Sequence, residues 1–233
     1  MADAGAEILR SNGIRPLDKW VDDHIFFRIP CVQLQNYNHA RRVWHNDIKQ
    51  TGMRHTGSRI WYSGKSHDGN ILKEFSEDCS FPIRNLSTAT ERSIEDAAFA
   101  YGIADIDRVS HELGIPWESS KDQPFTLTTI YIGFLWDLEA RTVELSPAKT
   151  KKYTSAIDEW LARPKHTLKN MQELYDKLLH AASILVQGWA YLVGLEGMLS
   201  TCAKRPFAPH HPSNSIAKDL KWWCQKILSR TFI

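Results

Sequence analysis

Cysteine is scarce in this chain, and the four present, Cys31, Cys79, Cys202 and Cys224, lie far apart without a Cys-x-x-Cys pair. That spacing excludes a zinc knuckle and a dithiol redox motif, and it leaves reduced thiols inside a cell as the expectation. No run of about 18 apolar residues occurs, so no membrane-spanning helix and no membrane partner are expected. The first residues, Met1-Ala2-Asp3-Ala4-Gly5-Ala6-Glu7, have neither a basic leader nor a long apolar stretch. They predict an intracellular protein, cytoplasmic or nuclear, and not a secreted one. The ten histidines show no His-x-x-x-His or His-Glu-x-x-His spacing, which leaves them as solvated or structural side chains. Tyr62-Ser63-Gly64-Lys65 lacks the glycine pattern of a phosphate-binding loop, and no serine or cysteine nucleophile motif is present.

What is there is material for a packed core. The 233 residues are 42% apolar, with 9 tryptophans and 9 phenylalanines, which suffices for one domain or two small ones. Net charge is only +2, but it is unevenly spread: residues 1–140 hold 15 Lys/Arg against 20 Asp/Glu, and residues 141–233 hold 14 against 7. A basic C-terminal part of this kind suits a polyanion, and equally a solvated surface.

Patterning predicts an α+β fold. The run Trp20 to Ile29, closed by Pro30, predicts a β-hairpin with acids at its tip. Residues 36–50 predict a helix, and the Gly-, Ser- and Asp-rich residues 51–90 an irregular insertion. Helical spacing returns from Ala89 to Leu113, interrupted at Gly102 and stopped by Gly114. Phe125–Leu138 and Arg141–Leu145 predict strands. Helices come next: one capped by Ser146-Pro147, one capped by Thr167, a third over Trp189–Leu199 and a last over Ser215–Leu228.

The strongest candidate for chemistry is Asp22-Asp23. Two adjacent carboxylates held at a tight turn repel one another, and a divalent cation such as Mg²⁺ relieves that repulsion. An Asp-Asp pair alone is common in turns and caps. Here it is preceded by Trp20-Val21 and followed by the apolar His24-Ile25-Phe26-Phe27, and Trp20-Val21-Asp22-Asp23 resembles the aromatic-x-Asp-Asp hairpin of retrotransposon reverse transcriptases. Further segments resemble that family in its own order. Leu113-Gly114-Ile115-Pro116-Trp117, followed by Lys121, is similar to the palm segment whose lysine lies near the triphosphate. Tyr131-Ile132-Gly133-Phe134 is similar to the hairpin that grips the primer. Leu145-Ser146-Pro147-Ala148-Lys149 resembles the start of the thumb, Gln172 to Ala181 a thumb helix, and Asp219-Leu220-Lys221-Trp222-Trp223 the segment leading out of it.

The resemblance implies a partial palm over residues 1–145 and a helical thumb over 146–233. It implies Asp22 and Asp23 as catalytic metal ligands for Mg²⁺, Lys121 as a catalytic general acid or charge neutraliser, and an RNA/DNA primer–template as partner. Tyr131, Gly133 and Phe134 would serve the primer, and Lys149 and Lys152 the phosphates. In nucleotidyl transfer two metals about 3.5–4 Å apart activate the 3′-hydroxyl and stabilise the leaving pyrophosphate. The fingers and the first catalytic aspartate have no counterpart among the nineteen residues before Trp20. The expectation is therefore a reverse transcriptase fragment that binds Mg²⁺ weakly and is inactive without its N-terminal polymerase half. The alternative is a non-catalytic nucleic-acid-binding or interaction protein derived from a retroelement. An unrelated α+β domain would have no reason to bring Asp22 and Asp23 to a hairpin tip.

Overall fold

The structure is a computed structural model that describes residues 2–57, 60–65, 71–76, 81–89 and 91–229. The fold is α+β, with small antiparallel sheets and helices, as the patterning predicts. The chain divides into two compact units, Met1–Phe125 and Thr126–Ile233.

In the first unit, helix α1 (Ala2–Ser11), not anticipated from the sequence, buries Ala6 and Leu9 completely. Their spacing puts both on one helical face. Strands β1 (Leu17–Trp20) and β2 (Asp23–Phe26) form the expected hairpin, with Trp20 paired to Asp23. Helix α2 (Cys31–Thr51) starts immediately after Pro30, earlier than the expected residue 36, and buries Leu34, His45 and Ile48.

The irregular insertion expected over residues 51–90 is in part a sheet. Strands β3 (Met53–His55), β4 (Trp61–Lys65) and β5 (Ile71–Phe75) pair antiparallel in that order. Three- and five-residue strands joined by Gly- and Ser-rich connections are too short to display an alternation, which is why composition misreads them. Residues 58–59, 66–70, 77–80 and 90 of that stretch lie outside the described residues.

Gly102 does interrupt the next helical run, leaving α3 (Ile94–Ala97) and α4 (Ile103–Glu112), and Gly114 (φ 64) ends it. Ile94, the first residue of α3, is 94% exposed. Beside these helices Arg92 pairs with Asp105, both side chains almost fully buried, and Asp105 also accepts from the Gly102 amide at 2.9 Å. The core of this unit gathers Ala6, Leu9, Ile14, Leu34, Tyr101 and Val109.

The second unit opens with a meander of β6 (Thr128–Tyr131), β7 (Phe134–Asp137) and β8 (Thr142–Leu145). Helices α5 (Pro147–Leu161) and α6 (Leu168–Ala182) stand where expected, capped by Ser146 and Thr167. The helix expected over Trp189–Leu199 is instead a 3-10 turn, Val186–Tyr191, and then α7 (Val193–Cys202). Helix α8 (Asn214–Ser229) closes the unit. Trp223 is fully buried against Gly188, where an added Cβ would stand 2.1 Å from the indole.

The boundary between the two compact units falls at 125/126. Phe134 and Leu145 of the sheet share one buried cluster with Tyr153, Ile157, Met171 and Leu178 of the helices, so the meander belongs with α5 and α6. No helix among the described residues is long and apolar enough to cross a membrane.

Candidate functional site

The Asp22-Asp23 tip is built by a two-residue loop. Trp20 and Asp23 are the last cross-strand pair, so Val21 and Asp22 make the turn and Asp23 opens β2. Val21 holds φ 54, a left-handed conformation that a β-branched residue adopts only under strain. Both carboxylates are exposed, as are Trp20 and Val21 at 63% and 66%. The tip is held from behind. His24 Nδ1 lies 3.0 Å from the Asp22 carbonyl, which can only accept, so Nδ1 carries the proton and donates. The His24 ring meets Trp117 edge to face, with centroids 4.9 Å apart.

That contact draws the Leu113–Trp117 segment to the base of the hairpin. Lys121 comes four residues later, exposed, at the end of a 3-10 turn (Ser119–Lys121). The fold therefore brings the segment preceding Lys121, through Trp117, against the residue next to Asp23. Among the described residues no group of three or more His, Cys, Asp and Glu stands ready to hold a metal. Asp22 and Asp23 alone do not fit a two-metal site, which requires at least one more carboxylate to span both ions.

In the second unit the Tyr131–Phe134 hairpin is a tight turn in which Ile132 (φ 48) and Gly133 (φ 85) both take positive φ. Tyr131 and Phe134 are paired across the strands and lie on the same face, 7% and 4% exposed. The two side chains expected at the primer are therefore both buried.

No sequence pattern points to the residue that grips this turn. His180 of α6 places Nε2 2.9 Å from the Ile132 carbonyl and Nδ1 3.0 Å from the Tyr153 hydroxyl of α5. Because the carbonyl only accepts, Nε2 carries the proton, and Nδ1 accepts from Tyr153. The imidazole also stacks on Phe134, with centroids 4.4 Å apart and planes within 4°. Burial, reinforced by the nearby Lys149 charge and opposed by the Ile132 carbonyl, holds His180 below its ordinary pKa. Burial likewise pushes the Tyr153 phenol up.

Lys149 completes the arrangement. Its methylenes lie over Gly133, where an added Cβ would stand 2.6 Å from Cε and 3.2 Å from Cγ. Lys152 is exposed one turn along α5, on the rim of a hollow of roughly 230 Å³ between α5 and α6 that also meets Trp160, Arg163, His166, Glu173 and Lys177. Gly133, Lys149, Tyr153 and His180 thus form one connected patch, and Lys152 stands beside it. Comparison of the chain with protein-family models, with curated proteins and with solved structures gave no match.

Proposed function

We propose that this chain is a fragment of a retroelement reverse transcriptase, an RNA-directed DNA polymerase. In this reading the first unit carries the end of a palm, and the second carries the last palm hairpin with the thumb. The observation that carries the proposal is the hairpin tip. Trp20-Val21-Asp22-Asp23 forms a two-residue turn whose adjacent carboxylates are exposed and whose backbone is pinned by His24 and Trp117. The Gly133 turn clamped beneath Lys149 supports it from the other unit.

The chain binds an RNA/DNA primer–template, with Lys149 and Lys152 on phosphates and the Ile132-Gly133 backbone approaching the strand. Lys121 serves the triphosphate. Asp22 and Asp23 hold Mg²⁺ weakly until a further carboxylate is supplied, so the chain alone does not extend a primer. A second reading, a retroelement-derived nucleic-acid-binding protein without catalysis, is favoured by the lack of a third metal-binding side chain near the tip among the described residues. The two readings part on whether an N-terminal polymerase half, added in trans, yields primer extension that requires Asp22 and Asp23.

The test is binding of a labelled RNA–DNA primer–template by the purified chain. Affinity is expected to fall with salt, and Lys149→Gln/Lys152→Gln to reduce the slope of log K against log salt by about 1.8, at about 0.9 per phosphate contact. Asp22→Ala/Asp23→Ala should remove a Mg²⁺-dependent part of binding and leave the rest. Absence of binding at low salt refutes the proposal, and primer extension by the chain alone refutes its inactivity.

A further inference from the structure

The β3–β4–β5 sheet has two unlike faces, and its register sets them. Arg54, Tyr62 and Glu74 are cross-strand partners and share one face. His55, Trp61 and Phe75 are partners in the next row, and they share the other face with Met53, Ser63, Lys65 and Lys73. The first face is occupied by α2. Tyr62 is buried there, and Glu74 accepts from both Arg41 nitrogens at 2.6 and 3.1 Å and from Trp44 Nε1 at 2.9 Å.

The second face is partly exposed. Met53 is 68% exposed, Lys65 and Lys73 are exposed, and His55, Trp61, Ser63 and Phe75 are half-buried. Ser63 Oγ lies 2.8 Å from His55 Nε2, and this hydrogen bond holds the imidazole flat on the Trp61 indole, with centroids 3.8 Å apart and planes within 10°. Lys73 Nζ lies 5.4 Å from the indole centroid. No Asp or Glu of the three strands points to this side, since Glu74 belongs to the other.

We infer that this face binds single-stranded nucleic acid, with bases stacking on the Trp61–His55 platform and Lys65 and Lys73 on the phosphates. Three observations select that partner. A half-exposed indole already stacked on an imidazole is a flat π surface, and every base has a matching face whatever the sequence. Lys65 and Lys73 are diagonal neighbours on adjacent strands, about 7–8 Å apart in the backbone, close enough to serve phosphates of one strand. The absence of a carboxylate among the described residues of this face removes the repulsion that would keep a polyanion away. A duplex keeps its base faces stacked internally and cannot use such a platform. The sheet face shares no residue with the proposed primer–template surface, so single-strand binding here stands whether or not the chain descends from a polymerase.

The experiment is fluorescence anisotropy of a short labelled oligouridylate, which carries no duplex, titrated with the full chain at several salt concentrations. Trp61→Ala is expected to weaken binding about 5- to 140-fold, while Trp61→Phe, which keeps a ring in place, stays near the wild type. Lys65→Gln/Lys73→Gln changes only exposed side chains and should lower the salt slope by about 1.4, at about 0.7 per contact for a single strand. Lys149→Gln/Lys152→Gln should leave oligouridylate binding unchanged while weakening the primer–template, so the two proposals can fail separately. No binding at low salt overturns the inference. So does unchanged binding by the lysine variant, whatever the folding state of Trp61→Ala, or equal binding of a blunt duplex lost in the same variants.

Discussion

Adding one methyl group at three glycines of the second unit should change stability in different directions, for reasons the structure separates. At Gly133 an alanine must hold φ 85, which costs an L-residue about 1–2 kcal/mol. Its Cβ would also stand 2.6 Å from Lys149 Cε, but that is a flexible side chain that can swing aside at small further cost. At Gly188 the obstacle is the Trp223 ring, 2.1 and 2.5 Å away, and Trp223 is fully buried and has nowhere to retreat. Forcing volume into such packing costs about 1–3 kcal/mol or more. At Gly197, inside α7, nothing lies within 4 Å of the new methyl, and replacing a helical glycine should stabilise by about 0.4–1 kcal/mol. Urea titrations followed by hydrogen–deuterium exchange in peptides from α5 and α8 would give the order Gly188→Ala least stable, then Gly133→Ala, wild type and Gly197→Ala. Gly133→Ala should also weaken primer–template binding, because it evicts Lys149 from the turn. Lys149→Gln should weaken binding alone. If Gly133→Ala and Gly197→Ala moved stability in the same direction, the positive φ at Gly133 would not be what the turn requires.

Charge sets the remaining expected outcomes. Arg92→Ala should destabilise the first unit by about 3–5 kcal/mol, since it removes the guanidinium paired with the fully buried Asp105 carboxylate; Arg92→Ala/Asp105→Asn should recover part of that loss in the same urea assay. Burial leads the causes that hold His45, His166 and His180 below their ordinary pKa of 6.5. The unfolded chain therefore binds more protons than the folded one just below that pH. Their contribution to stability is complete above pH 6.5 and is lost as pH falls towards the folded values, so the urea midpoint should drop between pH 7.5 and 5.5. A midpoint that rose over that range would contradict the neutral, two-bonded His180.

The parts of the fold that were legible in the sequence are those with a long period or a strong cap. Tyr153, Ile157 and Trp160 on α5, and Met171, Leu174 and Leu178 on α6, repeat at helical spacing behind Ser146-Pro147 and Thr167, and they are buried as that spacing requires. The β1–β2 hairpin was readable from an apolar run broken by two acids and ended by Pro30. Helix α1 was not, because Ala2–Ser11 carries only a short apolar stripe. The β3–β5 sheet was hidden by its short strands. The clamp on the Ile132-Gly133 turn was unreadable for a different reason. His180 meets Ile132 across 48 positions and Tyr153 across 27, and no local pattern marks a contact that only the packing of α6 beside the meander creates. The burial of Tyr131 and Phe134 is likewise unreadable, because aromatic residues flanking a turn look alike in sequence whether they face a ligand or the core.

The Val21 turn has a consequence for order. Its side chain is 66% exposed, so little packing offsets the unfavourable backbone, and the tip rests on two strands of only four residues each. Such a tip opens more readily than the rest of its unit, and its open and closed forms differ in how far apart the Asp22 and Asp23 carboxylates can move. Anything cationic that binds both carboxylates at once binds the closed form alone, and so draws the tip shut. Backbone amides of Val21, Asp22 and Asp23 should accordingly exchange fast in the free chain and slow down when such a ligand is added, which makes the strained turn its own reporter of occupancy.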